Sequence, residues 1–339
     1  MELNDLEKIR VQKLQAMRQR GVEPYPTRAN PTHSVQQAVD AFLQSETSGG
    51  EPVQVTLAGR LRSLRPMGKI SFGHVEDGSG RVQLFFRLNE VGEAGMQSLA
   101  DDFDLGDFLE ASGVMFRTRT GEISLHVHNF HMLAKSITPL PAAKDEVVDG
   151  QTIRHAGLTD PETRYRQRYA DLAVNPEVRQ IFVTRARTVS ALRRFLDERG
   201  FLEVETPILQ PIYGGAAAKP FVTHHNQLKQ NLFLRISFEL YLKRLLVGQL
   251  DRVYEIGRDF RNEGVSFKHN PEFTQLDFYM AYADYEKVMS LTEEMIAFVC
   301  DTVLGTRILH FDGHEIDVTP PWRRVELRQG LMDTTGIDI

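Results

Sequence analysis

One cysteine, Cys300, among 339 residues leaves no partner for an internal disulfide and no multi-cysteine metal site. It lies in an apolar helical stretch, "MIAFVCDTVLG", where a buried, inert thiol is the expected state. Apolar runs approaching the ~20 residues of a membrane span are also missing, so no membrane partner is expected. The start, "MELNDLEKIR", is acidic and periodic where a secretory leader would be basic and then apolar, and a cytoplasmic location is expected. Positive charge is not in excess. The net charge of −6 argues against a protein that coats DNA, while leaving room for a local basic patch. Neither G-x-G-x-x-G nor G-x-x-x-x-G-K-[ST] occurs, so any use of ATP needs an architecture other than a Rossmann or P-loop fold. H-E-x-x-H and G-x-S-x-G are absent too, which removes the simplest support for zinc-hydrolase and nucleophile-elbow chemistry.

What is present, 41% hydrophobic and 25% charged residues, is the composition of a folded chain long enough for two domains. Residues 1–50 read as a helical extension. Asn4 and Glu7 resemble a capping pair for a helix to about Arg20, and a second helix is expected from Ser34 to Leu43, before a linker-like "SETSGGEP". The basic residues of the first helix, Lys8, Arg10, Lys13, Arg18 and Arg20, suit either a phosphate backbone or open solvent. Residues 53–136 change period to two, broken by turns such as "EDGSGR". Five short strands with a helical insert near Glu90 to Asp101 predict an OB-type barrel, a fold that stacks single-stranded bases on exposed aromatics.

Residues 137–177 read as a linker, Pro-punctuated and then dense in arginine. From 178 to 339 the pattern is mixed: a helix to Arg199 ended by Gly200, a strand "FLEVETPIL", further strands joined by hairpins, and intervening helices. The fold class is therefore α+β, an N-terminal OB-fold barrel followed by an antiparallel sheet flanked by helices.

The stretch "FRNEGVSFKHNPEFTQLDFY" carries the chemistry. Strand alternation puts Arg261 and Glu263 on one face, and Phe273, Gln275, Asp277 and Tyr279 on one face of the next strand, so aromatics share a surface with charge. Such a face suits a flat, charged ligand better than a core.

"GFLEVETPIL" (Gly200 to Leu209) resembles motif 1 of the class II aminoacyl-tRNA synthetases, and "GRDFRNEGVSFKHNPEFTQLDFY" resembles motif 2. "RYRQRYADL", "GGAAAKPFVTHHN", "ELYLKRLLVG" and "FRNEG...HNPEFT" resemble the lysyl members specifically, and the resemblance runs from about residue 5 to 325. It implies ATP-dependent ligation of L-lysine to tRNA(Lys) through a lysyl-adenylate. By the same matching, Arg261 is the catalytic arginine on the α-phosphate; Glu263, His269 and Phe273 contact ATP; Gly215, Glu239, Asp277 and Tyr279 hold lysine; and Arg65, Phe72, Gln83 and Glu122 read the anticodon. At Asp277 relatives commonly carry Glu, and where two basic residues usually precede "MGK" this chain has Leu64, Arg65 and Pro66.

The resemblance also implies a homodimer formed through the 178–199 helix, and Mg2+ accompanying ATP. No metal ligand is assigned among these residues, because the family's acidic ligands lie in a C-terminal segment that this sequence does not match. Its Gly-rich third motif is not matched either, so the 178–339 region is expected to be a partial catalytic domain and the chain the N-terminal portion of an enzyme. The alternative reading is a tRNA-binding fragment or degenerate paralogue without catalysis.

Overall fold

The computed structural model describes residues 3–141, 144–148, 151–155, 158–266 and 268–338. The few remaining positions of the 137–177 segment, and Phe267 of the motif 2 loop, lie outside the described residues. Two compact units emerge, Met1–Pro176 and Glu177–Ile339.

The first unit opens with α1 (Asp5–Gln19) and α2 (Val35–Ser48). Both start on capping boxes. The Asn4 side chain accepts from the Glu7 N–H while Glu7 accepts from the Asn4 N–H, and Ser34 and Gln37 repeat the exchange. The second helix runs past Leu43 through the residues expected as linker and stops at Gly49, whose positive φ ends it. Of the basic residues of this helix, Lys8, Arg18 and Arg20 are exposed, yet three of the five reach protein partners in the barrel. Arg10 is 5% exposed and donates to the Ser136 and Leu105 carbonyls at 2.8 and 3.0 Å, Lys13 pairs with Asp104 at 2.8 Å, and Arg20 pairs with Asp102. With buried Lys135 bridging Asp104 and Asp107, these pairs fasten the helix to the barrel.

The barrel is built from β1 (Gln54–Met67), β2 (Ile70–Glu76), β3 (Arg81–Arg87), β4 (Phe108–Arg117) and β5 (Ile123–Ala134), with α3 (Leu88–Asp101) between β3 and β4. The ring closes in the order β1-β2-β3-β5-β4. Alternation sends Leu57, Leu61, Leu84, Phe86, Leu125 and Val127 into a fully buried interior, each side chain stabilising the barrel by roughly 1.5–3 kcal/mol. The Asp77 carboxylate sets the β2–β3 turn by accepting from the Ser79 and Gly80 N–H groups, and from the Val35 N–H at the start of α2.

The segment expected as linker holds structure of its own. A hairpin of β6 (Lys144–Val148) and β7 (Gln151–His155) precedes α4 (Pro161–Arg166) and α5 (Arg168–Val174). Its arginines are partly consumed locally: buried Asp171 accepts from Arg164, Arg168 and Asn175.

In the second unit α6 (Pro176–Asp197) leads to a region where one strand was expected and two residue pairs form instead, β8 (Leu202–Glu203) and β9 (Leu209–Gln210). Pro207, lacking an N–H, stands in the gap. Next come β10 (Val222–His225), β11 (Gln230–Leu234), α7 (Glu239–Val247), β12 (Arg252–Phe260), β13 (Glu272–Met280), α8 (Tyr285–Val303), β14 (Ile308–Phe311), β15 (His314–Asp317) and α9 (Leu327–Thr335). The sheet orders are β10-β11-β9 and β13-β12-β8; all pairings are antiparallel except β12 with β8. One face of the β12–β13 pair, through Tyr254, Ile256, Leu276 and Phe278, packs on Phe195, Leu196, Leu291 and Met295 of α6 and α8. The opposite face is polar, and there the candidate chemistry lies.

Candidate active site and nucleic-acid interface

Register defines the polar face of β12–β13. Val253, Glu255, Gly257 and Asp259 stand opposite Tyr279, Asp277, Gln275 and Phe273 respectively, so these side chains project to one side. Arg261 was expected within the strand. It lies one residue beyond β12, yet its N–H still reaches the Pro271 carbonyl at 2.8 Å, which extends the ladder and keeps it on the face of Asp259. Its guanidinium carbon sits 5.1 Å from the Phe273 ring centroid. The Arg261 Nε is buried without a hydrogen-bond partner, a donor left available.

Glu263 and His269 are not brought onto this face. Both are exposed in the loop between the strands, where Ser266 Oγ and His269 Nδ1 lie 2.8 Å apart and the Glu263 N–H donates to the Arg261 carbonyl.

Gly215, Glu239, Asp277 and Tyr279 do converge. Gly215 has φ +89°, and a Cβ there would lie 2.9 Å from Glu239 Cβ and 3.0 Å from Ser237 Oγ, so only glycine lets this loop pass the start of α7. Glu239 pairs with Lys243 one turn on and, among the described residues, accepts no other side-chain bond. Asp277 accepts from Gln275 Nε2 at 2.8 Å. Burial, together with the charges of Glu239 and Asp277, pushes the Tyr279 phenol up to about 12, so it stays a neutral donor and acceptor at neutral pH.

Beneath these residues lies an ion cluster that strand alternation before Phe260 would have exposed: Glu255, Asp259 and Arg261 share one parity, with Gly257 between. Arg235, 2% exposed, donates to Glu255 at 2.5 Å, to the Thr206 carbonyl at 3.0 Å and to the Arg258 carbonyl at 2.9 Å, and lies 3.4 Å from Asp259. A Cβ on Gly257 would stand 2.6 Å from Arg235 Nη2, so the missing side chain is what admits the guanidinium.

Asp259 is wholly buried and neither carboxylate oxygen has a hydrogen bond. Burial raises its pKa to about 6, with Asp277 and Glu255 adding to the rise and Arg235 and Arg261 opposing it. The folded state therefore holds this proton more tightly than the unfolded chain, and stability falls as pH rises from about 4 to about 6, by up to ~3 kcal/mol. Asp259→Asn is expected to flatten that slope and raise stability at pH 7. Urea unfolding of both proteins at pH 4.5 and 7 checks it; an unchanged slope would show that Asp259 is ionised throughout.

On the barrel, Arg65, Phe72, Gln83 and Glu122, expected as one set, line a single cavity of about 270 Å³. Ser63, Met67, His74, Thr118 and Thr120 complete it. Glu122 is the hub, accepting from Gln83 Nε2 at 2.7 Å and lying 3.1 Å from His74 Nε2, while Ser63 Oγ is 2.7 Å from His74 Nδ1. Burial lowers the His74 pKa, outweighing the Glu122 hydrogen bond, so the ring is neutral above its ordinary range. His74 is a residue the sequence reading missed; its signal was its place two residues after Phe72 on the same strand face.

The remaining expectations concern helices and metals. α6 leaves Ile181 65%, Phe182 46% and Val183 41% exposed while Leu196 is buried, so the apolar stripe expected along this helix splits between surface and core. Among the described residues no helix is long and apolar enough to cross a membrane, and no group of three or more His, Cys, Asp or Glu is placed to hold a metal ion.

An OB-type ring with a polar cavity on its face in one unit, and in the other a sheet that presents an arginine over a phenylalanine, are the two parts expected of an aminoacyl-tRNA synthetase of the second class. The comparisons agree. The family of class II tRNA synthetases for D, K and N matches residues 160–339, the OB-fold nucleic acid binding domain matches residues 55–133, and the chain belongs to that class. Within it the similarity is to lysine-tRNA ligases: 50% identity to that of Roseiflexus castenholzii (strain DSM 13941 / HLO8) over 100% of this chain and 67% of that protein. The ligase of Chloroflexus aurantiacus (strain ATCC 29366 / DSM 635 / J-10-fl) is 49% identical over 100% of this chain and 66% of its own length. The chain is thus a member of the lysine-tRNA ligase family that spans about two thirds of these relatives.

Proposed function

We propose that the chain takes part in ATP-dependent attachment of L-lysine to tRNA(Lys), with residues 53–136 reading the anticodon, residues 178–339 activating the amino acid, and residues 1–50 and 137–177 bracing and connecting them. The observation that carries this reading is the convergence of Gly215, Glu239, Asp277 and Tyr279 beside Arg261 and Phe273. Two carboxylates and a neutral phenol suit the two ammonium groups of lysine. Asp277 is one methylene shorter than glutamate and is already steered by Gln275.

Activation needs the lysine carboxylate to attack the α-phosphorus of ATP, forming a mixed anhydride and releasing pyrophosphate. Both reactants are anions, so the protein's contribution is placement and charge neutralisation. Arg261 supplies a planar fork that spans carboxylate and α-phosphate, and Phe273 supplies a flat apolar surface for adenine. Glu263 and His269, on the loop between the strands, are assigned to ATP by position in the motif. The lysyl group then passes from the adenylate to a hydroxyl of the tRNA's terminal ribose, which forms an ester as the anhydride bond breaks and AMP leaves. Mg2+ accompanies ATP in this class; among the described residues no group of three or more His, Cys, Asp or Glu is placed to hold it.

In the barrel, Phe72 offers a stacking face while Gln83, Glu122 and Arg65 address base edges and phosphate. The exposed apolar residues of α6 suit a twofold interface, and the assignment fits a cytoplasmic enzyme. Phe72→Ala is expected to weaken tRNA(Lys) binding by roughly 1–3 kcal/mol, one stacking platform, and to leave lysine-dependent ATP–pyrophosphate exchange by the full-length ligase unchanged. Equal losses in both assays would place Phe72 in the fold's core instead.

A further inference from the structure

Two parallel rows of side chains cross the outer face of the barrel. Direct register partners run Arg65, Phe72, Phe85, His126 across β1, β2, β3 and β5, and next to them run Ser63, His74, Gln83, Ser124 across the same strands. Leu84, Phe86, Leu125 and Val127 fill the interior, so by alternation Phe85 and His126 point outward, and both are half-buried. One row is therefore Arg65 followed by three rings, and the other is polar, with Ser63 bonded to His74 and Ser124 to Gln83.

The rings form a continuous surface. Phe72 and Phe85 centroids lie 5.0 Å apart with planes 32° from parallel, Phe85 is 5.4 Å from His126 and 5.7 Å from Phe116, and His126 is 5.4 Å from His128. Only the Phe72 end borders the cavity of Arg65, Gln83 and Glu122. Burial, with His128 and Arg87 nearby, lowers the His126 pKa against the opposing charge of Glu90, so its ring is a neutral flat surface at physiological pH. Lys69 at the β1–β2 turn and Arg87, opposite Ile70, bring positive charge along the same edge as Arg65.

We propose that Phe85, flanked by His126 and Phe116, is a second base-stacking subsite, which takes the single-stranded RNA nucleotide next to the one stacked on Phe72. The proposal rests on the barrel reading the anticodon loop and extends it. Two features select this occupant: the rings continue directly from the anticodon cavity, and the cationic border complements a phosphate backbone. A base stacked here would leave the anticodon cavity free for its neighbour. The barrel would then stack two neighbouring bases.

The test uses a fluorescein-labelled RNA hairpin with UUU in its loop, and versions carrying an abasic nucleotide at single loop positions on either side of the triplet and within it. Against the intact hairpin, Phe85→Leu should weaken binding about 5- to 30-fold, the scale of one lost stacked base, and Phe85→Tyr should bind within about threefold of the parent, since the ring is kept. One abasic position should weaken binding to the parent chain by the same factor and should cancel the Phe85→Leu deficit, as expected when both changes remove one contact. That abasic scan on the unaltered chain needs no variant to fold. If every abasic penalty is insensitive to Phe85→Leu, or Phe85→Leu binds as the parent does while Phe72→Ala does not, the second subsite is absent and the anticodon reading stands. If Phe72→Ala is also without effect, the anticodon reading fails and this inference with it.

Discussion

Arg261→Lys in the full-length ligase is expected to slow lysyl-adenylate formation by about 10² to 10³, the range for removing one preorganised donor from a developing charge. The substitution keeps the positive charge, so the loss isolates geometry. Arg261 is held by its own backbone bond to Pro271 and by the Phe273 ring under its guanidinium, with Asp259 two residues back on the same face. Its Nε is buried and without a partner, which leaves an N–H of the planar group for a second anionic oxygen. An ammonium at the end of a flexible stem contacts one oxygen as a point charge and lacks the flat surface that lies over Phe273. The change should appear mainly in turnover, with the Michaelis constant for lysine altered far less, because bridging carboxylate and α-phosphate matters most as charge develops between them. Pyrophosphate exchange at saturating ATP measures it; a loss under about threefold would remove Arg261 from the chemistry.

The second large effect concerns stability. Arg235→Met should destabilise the second unit by about 3–5 kcal/mol, because it leaves Glu255 and Asp259 buried without their cation. Methionine fills much of the volume beside Phe238, over whose ring the guanidinium lies at 4.1 Å, so the loss is not a cavity effect. Glu255 would keep its bonds from the Thr206 N–H and hydroxyl, whereas Asp259 would keep none. Adding Asp259→Asn to Arg235→Met should therefore recover part of the stability, a non-additivity expected of neighbours in one network. Urea unfolding of the single and double variants decides it, and strictly additive losses would mean that Arg235 and Asp259 do not share the burden.

The barrel was legible because its signal is local. Alternation over "VQVTLAGRLRSL" and "RVQLFF" and the Asp-Gly turn between Glu76 and Arg81 specify strands and register without reference to distant residues. The basic face of α1 was not legible for the opposite reason. A helical arginine looks alike in sequence whether it meets solvent, phosphate or protein, and the groups that take Arg10, Lys13 and Arg20 lie 82 to 126 residues away. The "FLEVETPIL" strand failed at Pro207, where loss of one N–H outweighed the apolar alternation.

The site was legible in unequal parts. Period two placed Phe273, Asp277 and Tyr279 on one face, but the individual roles of Gly215 and Glu239 came from resemblance, since nothing in their local pattern marks a loop glycine packed on a helix start. Asp259 and Glu255 went unread because the alternation was followed forward from Phe260 and not back along β12. Glu263 went astray because the period was carried past the strand's end into a loop that does not hold it.

The most direct test of the account is which amino acid the full-length ligase activates. Within a class that serves aspartate, lysine and asparagine, the acidic pocket of Glu239 and Asp277 predicts ATP–pyrophosphate exchange that depends on lysine and is at least about 100-fold weaker with aspartate or asparagine, whose side chains cannot pair with those carboxylates. Exchange supported equally by aspartate or asparagine, or exchange with lysine that survives loss of both carboxylates, would contradict it.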